Sequence, residues 1–134
     1  MGRADLTKKV LGLFDAWNRG DFEGWAVLAG TEVDFRPQMV GDLEGRAYLG
    51  RDGLRHFWDE WHDVWDDITT TVDSSEWIGA RLLVVGSVRA RGRHSGAEVN
   101  SPLAWVFDFD GEEIKRTQSY TDLETARAAA HEPA

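Results

Sequence analysis

The hydrophobic period of this chain changes once, at Ile68, and that change constrains the fold more than any other feature. Before Ile68, apolar residues recur at helical spacing. After it they alternate, and four extended runs follow at about 68–78, 81–93, 97–109 and 112–121. Gly79-Ala80 and Asp110-Gly111 are turn signals between them, and Arg93-His94-Ser95-Gly96 supplies the third connection. These four runs predict a meander that forms one continuous sheet.

The first half of the chain must cover that sheet. Leu6, Val10, Leu13, Phe14 and Trp17 fall on one face of a helix running from about Asp5 to Asn18. Asp5 reads as its N-cap, and Asn18-Arg19-Gly20 reads as its stop. Asp21 then caps a second helix to about Ala29, with Phe22, Trp25 and Leu28 inward. Thr31 to Arg36 alternates Val33 and Phe35 against Asp34 and Arg36, which predicts a strand ended by Pro37. A third helix spans about Gly50 to Trp65, with an apolar stripe of Leu54, Phe57, Trp58, Trp61, Val64 and Trp65. Its other face carries Asp59, Glu60, His62, Asp63, Asp66 and Asp67. A short helix from Leu123 to Ala130 closes the chain. Helices segregated from an antiparallel sheet give an α+β fold, in which a curved sheet wraps around helices as a cone.

Length and charge narrow the function. At 134 residues the chain is expected to be a single domain over 1–134, ordered over roughly 5–130. The net charge of −9 opposes phosphate backbones, so nucleic acid is not expected as a partner. No apolar run approaches the ~20 residues of a membrane span, and no secretory signal is legible, so the expected compartment is the cytoplasm. The absence of cysteine excludes thiolate catalysis and Cys-ligated metals. Seven Trp, six Phe and two Tyr supply the walls of a core or of an aromatic pocket.

Three motifs carry a resemblance. AWNRGDFEGWAVL at 16–28 resembles the N-x-G-D helix turn of the SnoaL-like, nuclear-transport-factor-2-like superfamily. GRAYLGRDGLRHFWDEW at 45–61 resembles its G-x-x-G-(x)-x-F-W helix entry. FDFDGEEIKRTQSYTDLETA at 107–126 resembles its final hairpin and Y-x-D-x-x-x-A exit. Together they are spread along nearly the whole chain, from 16 to 126, in the superfamily's order. The resemblance implies a cone-shaped, cystatin-like fold and a homodimer formed through the convex sheet face. It implies no single activity, because the fold hosts isomerases, cyclases, hydrolases and binding modules.

Ketosteroid isomerases pair a carboxylate base with a Tyr and a protonated Asp. Aligned on the N-x-G-D turn, the resemblance places Leu13, Arg36 and Trp105 at those three positions, so that machinery is missing. The SnoaL-type cyclases use a late acidic residue, whose counterpart is Asp122; the other reading of Asp122 is an N-cap of the last helix. The limonene-epoxide-hydrolase type would draw on Asp34, Arg36 and Arg116.

Strand alternation assigns the faces. Leu82, Val84, Gly86, Val88 and Ala90 form a small apolar side suited to a concave wall. Ser101, Leu103, Trp105 and Phe107 are expected beside it, as are Arg116, Gln118 and Tyr120 from the last strand. The isomerase base position places Asp34 and Arg36 on the same inner face. Beside Arg36, Asp34 reads as a hydrogen-bond acceptor, or else as half of a structural pair at the rim. Trp17, Trp58 and Trp61 are candidate ligand contacts, but their helical spacing beside Leu and Phe favours a packing role alone. Tyr48, Met39 and Val40 are candidate covers of the cavity mouth. His56 and His62 read as solvent-facing, and no metal or cofactor is expected. The expected partner is a small apolar organic molecule. Asp34 or Asp122 would serve as acid or base with Arg36 and Arg116 as oxyanion partners; the rival reading is a binding or dimerisation module without catalysis.

Overall fold

The structure is a computed structural model that describes residues 2–38 and 46–133. The chain runs α1 (Arg3–Arg19), α2 (Phe22–Trp25), β1 (Ala29–Arg36), β2 (Tyr48–Leu49), α3 (Gly50–Val64), β3 (Trp65–Ile78), β4 (Arg81–Gly92), β5 (Glu98–Asp110), β6 (Glu113–Tyr120) and α4 (Leu123–His131). The strands form one sheet in the order β2-β1-β6-β5-β4-β3. All neighbours are antiparallel except β1 and β6, which pair in parallel. The α+β expectation and the four-strand meander are both met.

Several local expectations are corrected. The N-cap of α1 is Gly2, without a side-chain cap bond, and Asp5 lies inside the first turn. The second helix is a single turn ending at Trp25, not at Ala29. In α3 only Leu54, Phe57 and Trp58 of the apolar stripe are fully buried; Val64 is exposed and Trp65 opens β3.

The helix turn at Asn18-Arg19-Gly20-Asp21 is built by backbone chemistry. Gly20 sits at φ 73°, the left-handed conformation that terminates a helix without a Cβ clash. The Asp21 carboxylate then accepts from the Gly24 N–H at 3.0 Å, satisfying a free donor of α2.

The sheet bends around α1 and α3. Its concave face packs against them through Val10, Leu13, Phe14, Trp17, Leu54, Phe57 and Trp58. The convex face is partly covered by α4, whose Ala126 and Ala130 meet Leu83, Ala104 and Val106. Irregular pairing produces the bend. Between Val72 and Ser74, β3 carries an extra residue opposite β4. Gly86 lies across from that bulge, and a Cβ there would stand 1.9 Å from the Thr71 carbonyl oxygen. A bulge increases local twist, and a glycine lets the two backbones close.

Two further irregularities decide which side chains face inward. Asp108 pairs with Arg116 but Phe109 pairs with Ile114, so Lys115 is an extra residue in β6. Side chains alternate along a strand, so one extra residue reverses the facing of everything beyond it. Ile114 is buried, and Thr117 and Ser119 follow it inward. Arg116, Gln118 and Tyr120 are turned to the convex face, correcting the inward placement expected from simple alternation. In β1, Val33 and Phe35 are the buried pair, so Asp34 and Arg36 are also convex.

Candidate functional site

The concave face and the helices enclose a partly open cavity of about 90 Å³. Its floor is Leu103, Trp105 and Phe107 of β5 with Ile114, Thr117 and Ser119 of β6. Val33 and Phe35 of β1 form one side, and Thr70 of β3 with Val88 of β4 the other. Leu13, Phe14 and Trp17 of α1, Trp25 of α2, and Leu54 and Phe57 of α3 close it from the helical layer, with Ala29 and Pro37 at the ends of β1.

The rings hold one another in place. Phe14 meets Trp105 edge-on at 4.8 Å between centroids. Phe57 is the hub, edge-on to Phe35 at 4.8 Å and stacked near Trp17 and Trp25 at 6.0 and 6.1 Å. Such contacts add about 0.5–1.5 kcal/mol per pair beyond area burial, and they leave a rigid wall.

Among the described residues, no charged side chain lines this cavity. The polar groups on its wall are the Thr70, Thr117 and Ser119 hydroxyls and the Trp indoles. Ser119 is committed twice: its Oγ accepts from the Gln38 N–H at 2.7 Å and donates to the Gln38 carbonyl at 3.1 Å. Thr70 donates from Oγ1 to Asn18 at 3.1 Å.

Of the residues expected at the site, Trp17, Leu103, Trp105 and Phe107 line the cavity. Trp58 is buried behind it, stacked on His62 at 4.5 Å and edge-on to Trp17 at 5.0 Å. Trp61 stacks on Phe57 at 6.1 Å, also outside the lining. Ser101 is buried on the inner face, but it donates to the Pro102 carbonyl and does not reach the cavity. Tyr48 packs its ring on Phe57 at 5.3 Å while its hydroxyl donates to Glu60 at 2.9 Å and accepts from Arg46 at 2.7 Å. Burial raises the Tyr48 pKa above the ordinary phenol value, and its bond to Glu60 adds to the rise. Met39 and Val40 lie outside the described residues.

The expected polar set is elsewhere. Asp34 and Arg36 form a bidentate pair with each other at 3.0 and 3.1 Å on the convex side. That hydrogen bond and charge hold the Arg36 guanidinium above its ordinary pKa. Arg116 donates to Gln118 at 2.9 Å on the same face. Tyr120 packs against the α4 cluster, and burial raises its hydroxyl pKa. Asp122 is exposed and caps α4, accepting from the Thr125 N–H at 3.1 Å and hydroxyl at 2.6 Å. None of these six residues lines the cavity, so the expectation that Asp34, Arg36, Arg116, Gln118 and Tyr120 look inward is corrected, and Asp122 is the helix cap. His62 is corrected as well: its ring lies half-buried between Trp17 and Trp58, with Nδ1 donating to the Trp58 carbonyl at 2.7 Å.

The lining residues that sequence reasoning missed include Trp25, Phe35, Phe57, Thr117 and Ser119. The apolar alternation of Val33 and Phe35 was a usable signal for β1. Nothing local marked Thr117 or Ser119, because the extra residue at Lys115 has no signature in the sequence.

The architecture and cavity agree with a family assignment: the model of the SnoaL-like domain matches residues 10–117. The chain belongs to the SnoaL-like domain family.

Solved structures share the fold of this SnoaL-like domain at low identity. A nuclear-transport-factor-2-like protein of unknown function from Burkholderia pseudomallei K96243 superposes with TM-score 0.79 at 18% identity, covering 95% of this chain and 97% of that one. A candidate SnoaL-like polyketide cyclase from Jannaschia sp. CCS1 gives 0.76 at 17%, covering 98% and 94%. TerC, co-crystallised with polyporic acid, gives 0.76 at 15%, covering 95% and 98%. At such identities these likenesses carry the fold alone. No curated protein matches the chain in sequence. No helix among the described residues is long and apolar enough to cross a membrane.

Proposed function

We propose that this SnoaL-like domain binds a small, neutral, largely apolar organic molecule in the cone cavity. One observation carries the reading: the cavity wall is aromatic and aliphatic, interrupted only by hydroxyls and indoles, with no charged side chain among the described residues. Apolar walls with a few placed polar groups are the usual composition of a small-molecule site. An ionised ligand would enter that wall without a counter-charge, at a cost of several kcal/mol. The domain would act in the cytoplasm, as a homodimer paired through the part of the convex sheet face that α4 leaves open.

The rival reading is cofactor-free proton transfer of the cyclase or isomerase type, supported by neighbours named as candidate polyketide cyclases. It needs an acid or base within hydrogen-bond reach of the ligand. Asp34 and Asp122 are both engaged away from the cavity. Binding therefore ranks first.

The test is intrinsic tryptophan fluorescence during titration with one-ring aromatics and aliphatics of graded size. Trp17, Trp25 and Trp105 line the cavity and should report occupancy. A saturable response, abolished by filling the cavity with Val88→Phe, is expected. A flat response to neutral and charged ligands alike would refute the reading.

A further inference from the structure

Thr117 is part of the cavity floor. In the sheet it pairs with Phe107 of β5 on one side and Phe35 of β1 on the other, and both rings also line the cavity. The residue is 6% exposed. Its hydroxyl has no hydrogen-bond partner among the described residues, whereas the other two wall hydroxyls are engaged. Among the described residues, the fully buried polar side-chain atoms without a partner are the Trp17 and Trp61 indole nitrogens. The Thr117 oxygen is not among them, so it keeps some accessible surface, on a residue that lines the cavity.

Valine has the same shape as threonine and suits a strand equally well, so packing does not require a hydroxyl here. A buried hydroxyl without a partner is a destabilising choice unless something else satisfies it. The bond count narrows what that partner is. Ser119 and Thr70 have already given their protons away, so among the described residues Thr117 is the wall hydroxyl with a proton left to give, beside the indole N–H groups of Trp25 and Trp105. A ligand hydroxyl that accepted this proton would need an acceptor for its own, and the Ser119 and Thr70 oxygens are already hydrogen-bonded to Gln38 and Asn18. A carbonyl or ether oxygen accepts one bond and needs no other.

We propose that Thr117 is the polar anchor of the cavity and that the ligand is an uncharged ketone, aldehyde or ether. Its oxygen accepts from the Thr117 hydroxyl, and its hydrocarbon part lies against Phe35 and Phe107. The inference rests on the reading of the cavity as a ligand site. The volume of about 90 Å³ is below the ~150 Å³ that admits benzene in an engineered core, so a ring-sized ligand extends through the open side.

The experiment is calorimetric titration of the whole chain with acetophenone and with α-methylstyrene, which replaces the carbonyl by a methylene of similar shape. Wild type, Thr117→Val and Thr117→Ser are compared, with thermal melting to confirm that each variant folds. The expected result is a preference of about five- to tenfold for the ketone in wild type, the magnitude of one added hydrogen bond. Thr117→Val should erase the preference by weakening the ketone alone, and Thr117→Ser should retain it. Equal binding of both compounds, unchanged in Thr117→Val, overturns the anchor while leaving the cavity reading intact. Failure of both compounds to bind wild type overturns the cavity reading and the anchor together.

Discussion

The side-chain amide of Asn18 closes both outward hydrogen bonds of Thr70. Its Nδ2 donates to the Thr70 carbonyl at 2.9 Å, and its Oδ1 accepts from the Thr70 N–H at 2.8 Å. Thr70 lies in β3, the strand at the open edge of the sheet. An amide side chain thus does what a neighbouring strand would do, and α1 is tied to the edge at the level of the cavity. Unpaired edges invite pairing with other chains, so the contact also protects the fold. Asn18→Ala should lower the unfolding free energy by about 1–2 kcal/mol in urea melts, from the loss of three exposed bonds. Asn18→Asp should lower it too, because a carboxylate would face the Thr70 carbonyl without a donor. A variant as stable as wild type would show that this pairing contributes nothing.

Gly86 marks where the sheet bends. A Cβ at this position would collide with backbone, 1.9 Å from the Thr71 oxygen and 2.9 Å from its carbon, and backbone cannot rotate aside as a side chain can. Gly86→Ala should cost about 2–3 kcal/mol or more, the upper range for overpacking. Gly12→Ala, where no atom lies within 4 Å of the added carbon, is the control and should be neutral or stabilising. Similar melting temperatures for the two variants would refute the close approach.

Asp34 and Arg36 pair with each other on the convex face, 26% and 45% exposed. Exposed pairs contribute about 0–1 kcal/mol, so Asp34→Asn and Arg36→Gln should change stability within that range. Affinity for any ligand of the cavity should change by less than twofold. A loss of binding in either variant would mean that a group on the outer face communicates with the cavity.

Asp122 should set part of the acid stability. The Thr125 hydroxyl and N–H hold its carboxyl below the ordinary pKa, so the folded pKa lies under the unfolded one. Its contribution is therefore fully present above the ordinary carboxyl range and is lost as pH falls through the lowered folded pKa. Asp122→Asn keeps an acceptor for Thr125 and should melt close to wild type at neutral pH, with a shallower decline on acidification. Asp122→Ala removes the cap and should melt lower at neutral pH. Parallel melting-temperature profiles for wild type and Asp122→Asn would exclude this role.

The sequence by itself determined the order of elements apart from the two-residue strand β2, the meander after Ile68, the helix turn at Asn18-Arg19-Gly20-Asp21, and Leu103, Trp105 and Phe107 as cavity floor. These follow from local rules, since period, turn chemistry and capping act within a few residues. The resemblance of three ordered motifs added the family, and the match to the SnoaL-like domain bears it out. Which polar groups meet the cavity was decided only in the tertiary structure. Lys115 is one extra residue against β5, and it turned Arg116, Gln118 and Tyr120 outward while bringing Thr117 and Ser119 in. In β1, burial of Val33 and Phe35 outweighed the facing suggested by the isomerase base position, because two apolar side chains gain more from the core than Asp34 and Arg36 lose by pairing at the surface. Register depends on what a strand pairs with and packs against, and neither lies within the strand's own residues.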